Sequence, residues 1–240
     1  FRCDIKTDKI NKELRILGNG PSLNFEKVIR IDSNVEYCMV NQACLTPEFN
    51  KLKPSIYIIA DPGYINPKDP DALLMWERFS KGLDWDMTIY VPYFMYKQVK
   101  SIINPNSRIT LSFYHSASFQ GWKNLSFLLY NKNVAIPGAG NVMAPSIYIG
   151  ILKGYKTIRL YGTDHSWTEQ LRVNKFNQVC VKQLHYYDDE DSIELVPWND
   201  EIGKPFSMKR ILNKFSEIFK QYEIIEQYAK SRNVKVINMC

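Results

Sequence analysis

The chain has 240 residues, with 31 Lys and Arg against 25 Asp and Glu, for a formal net charge of +6. With 45% hydrophobic and 13% aromatic residues it carries enough apolar surface to offset chain entropy, which excludes a disordered polypeptide. Its 11 Gly and 12 Pro follow no period, which excludes a collagen-like chain, and the charge forms no dense basic stripe of the kind a nucleic-acid binder needs. Residues 14–17 are a short apolar run that predicts a first strand, stopped at Gly18-Asn19-Gly20. Pro21 suits a first helical turn, so 22–29 reads as a helix. Strands follow over 35–40, 55–60, 87–91 and 108–113. Helices alternate with them, one starting at Thr46-Pro47-Glu48 and others over 71–79 and 94–103. Gly138-Ala139-Gly140-Asn141 precedes a helix over 142–153. The next strand, 156–161, ends at Gly162-Thr163-Asp164-His165. Residues 166–204 are irregular, with a hairpin near 179–183. After Pro205, residues Met208, Ile211, Leu212, Phe215, Ile218, Phe219, Tyr222, Ile225 and Tyr228 keep helical spacing, and a strand over 234–238 closes the chain.

Strands alternating with helices predict an α/β fold: a Rossmann-like, mostly parallel sheet with helices on both faces. No linker or repeat divides it, so 1–240 reads as one domain with an irregular insertion at about 166–204. The longest near-apolar run, 142–152, is about half of what a membrane span needs. The charged start does not read as a secretory leader, and a chain opening on Phe1 rather than Met is expected to belong to a longer or processed polypeptide. Five cysteines, an odd number with no C-x-x-C pair, argue for reduced thiols in the cytoplasm.

Ligands of open α/β sheets bind beyond the carboxyl ends of the strands, so the residues there are the candidate site. Gly18, Asn19, Gly20 and Ser22 could let a backbone approach a phosphate at a helix N-terminus; the alternative is a plain tight turn. Gly138, Gly140 and Asn141 form a second glycine loop, or else a flexible loop in which Asn141 caps a helix. Asn41 and Gln42 follow the second strand, Asp61 the third, and Asp164 and His165 the sixth. Asp61 before Pro62 serves a turn equally well. His115, His165 and His185 are the three histidines, and spacing does not choose a general base among them. No His/Cys cluster has metal-ligand spacing. The acidic run Asp188-Asp189-Glu190-Asp191 reads as a solvated loop before it reads as a Mg²⁺ site. Between Lys204 and Lys235 eight Lys/Arg face three Glu, an excess of 8 − 3 = +5. That helix is a solvated face, or a contact to an acidic lipid surface.

In order and spacing these motifs resemble a known superfamily. Leu17-Gly-Asn-Gly-Pro-Ser-Leu23 is similar to the opening motif of the bacterial sialyltransferases of glycosyltransferase family 42. The same motif type opens the domain shared by flagellin motility accessory factors and archaeal 6-hydroxymethylpterin diphosphokinases. Val40-Asn41-Gln42 resembles the sialyltransferase Asn-Gln, and Ala60-Asp61-Pro62 the Asp-Pro of the other two groups. Gly140-Asn141-Val142 and the strand ending in Gly162-Thr163-Asp164 are similar to elements of both. The resemblance covers about residues 14–165.

It implies a Rossmann-like nucleotide-binding fold and a glycosyltransferase building a bacterial surface polysaccharide from a CMP-activated, nonulosonic acid-like donor, with inversion and without a metal. Gly18, Asn19, Gly20, Ser22 and Asn41 would then contact donor phosphate and ribose, and Gly140 and Asn141 the cytidine. Asp61 stands where the sialyltransferases carry Asn. By position His185 would be the base, with Tyr186 or Tyr187 assisting departure of the nucleotide. The acceptor would be a glycan or glycolipid, with no nucleic-acid partner, and the enzyme would be cytoplasmic. Peripheral contact with the inner face of the membrane through the basic C-terminal helix, and a homo-oligomer, fit this picture. The competing expectations are a Mg-dependent diphosphokinase acting on a pterin alcohol, in which Asp61, Asp164 and the acidic run 188–191 hold the metal, and a non-catalytic nucleotide-binding domain. A Rossmann oxidoreductase ranks below both, since no third glycine and no ribose-binding acid follow in place.

Overall fold

Strand segments that are apolar on both faces must be covered on both faces, and this dictates the architecture. The computed structural model describes residues 5, 7–9, 11–29, 32–65, 68–104, 108–181, 196–199 and 203–240. In chain order the elements are β1 (Glu13–Leu17), α1 (Phe25–Val28), β2 (Val35–Val40), α2 (Pro47–Leu52), β3 (Ile56–Ile58), α3 (Pro70–Ser80), β4 (Met87–Pro92), α4 (Tyr93–Ile102) and β5 (Ile109–Tyr114). Then come α5 (Lys123–Asn131), α6 (Met143–Lys153), β6 (Thr157–Tyr161), β7 (Leu171–Val173), β8 (Val179–Val181), β9 (Val196–Pro197), α7 (Met208–Ser231) and β10 (Lys235–Asn238).

The main sheet has seven strands in the order β10-β6-β1-β2-β3-β4-β5. Every pairing in it is parallel. The chain steps outward from β1 to β5, then returns to place β6 on the other side of β1. The strand order therefore reverses between β1 and β6, the place where open α/β sheets bind ligands. This is a Rossmann-like α/β fold. Helices α1–α4 cover one face, where Val28, Phe49, Met75, Phe79 and Met95 pack on Tyr37, Met39 and Tyr57. Helices α5–α7 cover the other, where Tyr130, Tyr148 and Tyr228 pack with Ile16, Cys38 and Val40.

The apolar run near 142–152 is α6, and every residue from Met143 to Leu152 is buried. A Cβ at Gly150 would lie 2.9 Å from the side chains of both Ile158 and Leu14, so its absence lets α6 lie close on the sheet. Among the described residues no helix is long and apolar enough to cross a membrane.

Two elements depart from the sequence expectation. The helix expected over 22–29 contracts to the four residues of α1. Residues 20–23 form a turn closed by the Leu23 N–H on the Gly20 carbonyl (3.1 Å), and Asn24 caps α1 through the N–H groups of Glu26 and Lys27. Pro21 therefore sits before the helix, not in its first turn. Helix α5 was not expected at all, because it is apolar on more than one side and shows no clean amphipathic stripe. The described part of the irregular insertion forms an antiparallel sheet, β7-β8-β9, whose hairpin joins Leu171–Val173 to Val179–Val181. Val179 of this small sheet packs with Ile211 and Phe215 of α7.

Candidate functional site

A cleft of about 600 Å³ opens at the carboxyl ends of β1, β2, β3 and β6, over the strand reversal. Gly18–Pro21, Asn41, Asp61, Gly140–Asn141 and Gly162–His165 line its inner side. Trp167, Val181, Trp198, Lys214, Phe215 and Ile218 line its outer side. The four loops after β1, β2, β3 and β6 thus meet at one place because parallel strands present all their carboxyl ends on one edge, and the Gly140–Asn141 loop before α6 joins them.

The glycines of the first loop serve loop-to-loop contact. A Cβ on Gly18 would lie 2.4 Å from the Gly162 carbonyl oxygen. One on Gly20 would lie 2.0 Å from Asp164 Oδ2. Gly162 itself is left-handed at φ +62°, which glycine adopts freely. Three of the backbone donors of this loop are occupied. Gly18 N–H donates to the Tyr161 carbonyl (2.8 Å), Gly20 N–H to the Gly162 carbonyl (2.9 Å), and Ser22 N–H to the Asp164 carboxylate (3.2 Å to Oδ1). With a four-residue α1 already capped by Asn24, this loop is a strut between β1 and β6. It lies before the helix and not in its first turn, and Gly18–Pro21 still line the cleft.

Two side chains in the cleft stand out. Asn19 Oδ1 and Asn41 Oδ1 are buried and have no hydrogen-bond partner among the described residues. A buried acceptor without a donor is costly, so both atoms call for a ligand that donates. Asn41 is held in a left-handed conformation at φ 51°. The Tyr57 hydroxyl fixes it there by donating to the Asn41 carbonyl while accepting the Cys44 N–H (2.8 Å). Tyr57 was not singled out from sequence; only its position in an apolar strand was visible.

The other expected residues divide. Asp61 lines the cleft, and its Oδ1 accepts the Gly63 N–H (2.7 Å), which makes it a turn former as well. Asn141 lines the cleft and caps α6 by accepting the N–H groups of Met143 and Ala144 (3.1 and 3.2 Å). It also bonds the Tyr222 hydroxyl (2.9 Å). Gly140 N–H donates to Gln221 Oε1 (2.9 Å), which ties the second glycine loop to α7. Gln42 does not line the cleft: its amide donates to Asp71 on α3 (3.0 Å). Gly138 does not line it either: it packs against the Gln221 side chain at φ +153°. His115 packs on Tyr93 and meets Phe113 edge to face beside β5, and it does not line the cleft. His185, Tyr186, Tyr187 and the acidic run 188–191 lie outside the described residues.

His165 is the histidine that lines the cleft among the described residues. It packs against Trp167 and Tyr222, with ring centroids 4.8 Å away in both cases, and against Phe219 at 5.7 Å. Burial in this apolar surround lowers its pKa below 6.5, with the Asp164 charge pulling the other way, so at neutral pH it is a free imidazole able to accept a proton. Lys214 is the one Lys or Arg among the described lining residues, its ammonium 5.4 Å from the Trp198 ring centroid. Trp167 stacks on Phe215 at 5.3 Å and 27°. Neither Lys214 nor the two tryptophans carried a sequence signal: they sit in the helix and the irregular region, which spacing could not connect to the strand ends. No group of three or more His, Cys, Asp or Glu among the described residues is arranged to hold a metal.

No protein-family model matches the chain, and no curated protein matches it. Among solved structures similar to it is the sialyltransferase CST-II in complex with a trisaccharide acceptor and CMP. It is 14% identical, with a TM-score of 0.44, over 95% of this chain and 81% of that one. CstII from Campylobacter jejuni with the substrate analogue cytidine-5'-monophosphate is also 14% identical, with a TM-score of 0.43, over 95% and 80%. The monofunctional alpha-2,3-sialyltransferase Cst-I from Campylobacter jejuni is 15% identical, with a TM-score of 0.42, over 98% and 78%.

Proposed function

We propose that the protein is a glycosyltransferase that takes a nucleotide-activated sugar, CMP-linked and nonulosonic acid-like, and transfers it to a glycan hydroxyl with inversion. The observation that carries this reading is the pair of buried, unpartnered amide oxygens of Asn19 and Asn41 in the cleft. With the carboxylates of Asp61 and Asp164 they make the inner side of the cleft rich in acceptors. Sugars and ribose present many hydroxyl donors to such a surface, and their C–H faces suit aromatic walls like Trp167 and Trp198. The resemblance of the loop motifs to the sialyltransferases, residue by residue, supports the same assignment.

His165, the free imidazole in the cleft, is assigned here as the base. It accepts the proton of the acceptor hydroxyl as that oxygen bonds to the anomeric carbon. The bond from the anomeric carbon to the phosphate oxygen breaks in the same displacement, and the nucleoside monophosphate departs with the electron pair. Lys214 is the described cation available to the charge that develops on the leaving phosphate. The N–H groups of Gly18, Gly20 and Ser22 are engaged within the protein and are given no part in this step.

A thermal-shift screen of CMP, CDP, UDP, GDP and ATP, each with and without Mg²⁺, tests the reading. Stabilisation by CMP in the presence of EDTA is expected. A response confined to Mg²⁺-ATP would overturn it in favour of diphosphate transfer.

A further inference from the structure

Between Asp86 and Asp164 the sequence contains no Asp or Glu, although eight Lys and Arg fall within that stretch. Three of the eight pair with acids outside it: Arg108 with Asp86 (3.7 Å), Lys153 with Asp8 (3.2 Å) and Arg159 with Glu13 (3.0 Å). Helix α5 lies in the middle of the stretch and is apolar on two sides. One side is buried: Ser126 and Tyr130 are inside, and Phe127 packs on Tyr130 and Tyr228. The other carries Trp122, 83% exposed, then Leu125 and Leu128, 48% exposed, at three-residue steps that place them along one ridge. Lys123 and Lys132 flank this ridge, both exposed, with no ion pair to a described residue. Lys123 lies 5.7 Å from the Phe127 ring centroid, and the outward Trp-Leu-Leu ridge beside the two cations has no carboxylate from its own stretch of chain.

We propose that this outer face of α5 seats on an anionic lipid bilayer, with Trp122, Leu125 and Leu128 entering the headgroup boundary and Lys123 and Lys132 meeting lipid phosphates. The charge pattern selects this occupant over a second copy. A symmetric dimer sets the same patch against itself, and here it would set the lysines of the patch, Lys123 and Lys132, against their own copies. An anionic membrane complements both features at once. Helix α7, the more basic in sequence, fits the role less well, because Lys220 and Lys230 pair with Glu217 and Glu226 along its own surface (3.9 and 2.6 Å).

The position of the patch gives it a consequence. Gln120 and Ser118, just before α5, both donate to the Pro137 carbonyl (2.9 and 3.2 Å), at the start of the loop that runs through Ala139 and Gly140 along the cleft. The segment leading into α5 is thus tied to a cleft loop, and an acceptor glycan carried on a lipid would be held on the same membrane as the enzyme. That last clause rests on the function proposed above.

The test is co-sedimentation of the whole chain with vesicles of phosphatidylcholine alone and of phosphatidylcholine mixed with phosphatidylglycerol, without nucleotide. Binding to the anionic vesicles that weakens with salt is expected. The double variant Trp122→Ser/Leu125→Ser should lower the bound fraction about fivefold or more. Lys123→Glu/Lys132→Glu should remove the preference for anionic lipid. All four side chains are exposed, and an unchanged CMP thermal shift and circular dichroism spectrum would show that the variants are folded. Wild-type chain that stays off anionic vesicles, or variants that bind like the parent, would overturn the proposal. So would a concentration-dependent dimer that Trp122→Ser dissolves, since that gives the face to a second copy. Vesicle binding lost in the variants of a chain that binds no nucleotide would leave the docking face standing and remove the functional reading.

Discussion

His165 owes its chemistry to its surroundings. Removal from water disfavours the imidazolium, and the neighbouring Asp164 only partly restores it. The folded-state pKa is therefore depressed, and the free base persists to a lower pH than in an open histidine. On the proposed mechanism, kcat/KM falls as acid protonates His165, and the midpoint of that limb lies below 6.5. Asp164→Asn should move the limb lower still. A midpoint above 6.5 in the pH profile would count against His165 as the base. His165→Ala should lose about a hundredfold or more in kcat, the usual worth of a general base.

At the opposite end of the sheet Glu36 shows the converse balance. Burial alone would raise its pKa, but hydrogen bonds from Lys12, Lys9, Tyr155 and Ser55 outweigh burial and hold it at about 2. Its contribution to stability is complete above 4.5 and is lost as pH falls through about 2. At neutral pH it amounts to about 3 kcal/mol by linkage. Urea denaturation of Glu36→Gln should show a deficit of that order at pH 7, narrowing steadily between pH 4.5 and 2.

Loops and helices decide the next level. The Gly18–Ser22 and Gly162–Asp164 loops interlock so closely that neither tolerates a methyl group. Gly20→Ala places a Cβ 2.0 Å from Asp164 Oδ2 and 2.7 Å from the Gly162 oxygen, and should cost about 1–3 kcal/mol. Gly63→Ala meets only Asp61 Oδ1 at 3.1 Å in an exposed turn, and should stay within about 1 kcal/mol of the parent. Thermal unfolding of the two variants side by side checks the contrast. A glycine loop after a first strand is legible in the sequence as a loop near a ligand. Which partner its glycines make room for is not legible, because the answer lies about 140 residues away at β6. Helix α5 is the complementary case. Its Leu125, Phe127, Leu128 and Leu129 point to both the core and the solvent, so periodicity found no face to detect.

Over the whole molecule, two apolar clusters on opposite faces of one sheet make the body, and a third joins the small sheet to α7. Phe215 is the hinge pin of that third cluster, stacked on Trp167 and within 6.1 Å of Trp198. Phe215→Ala should cost about 3–5 kcal/mol of local stability. Cys180, next to Val179 in β8, is buried, so loosening of the small sheet should quicken its alkylation, followed peptide by peptide in a mass spectrometer. Equal alkylation rates in parent and variant would mean that the small sheet does not depend on α7.

The sequence by itself determined the alternation of strands and helices, the glycine and asparagine loops at strand ends, and the long amphipathic α7. Each of these is a local consequence of residue spacing and turn chemistry. Only the tertiary structure decided which strand ends converge. It brought Asn19, Asn41, Asp61, Asp164 and His165 into one cleft, turned Gln42 and Gly138 away from it, and closed it with Lys214, Trp167 and Trp198. The reason is the strand order. A sheet that reverses between β1 and β6 joins residues by lateral neighbourhood rather than by distance along the chain. The +6 charge changed its meaning in the same way. As a sum it is mild background; along the chain, the stretch without a single acid includes the exposed ridge of α5.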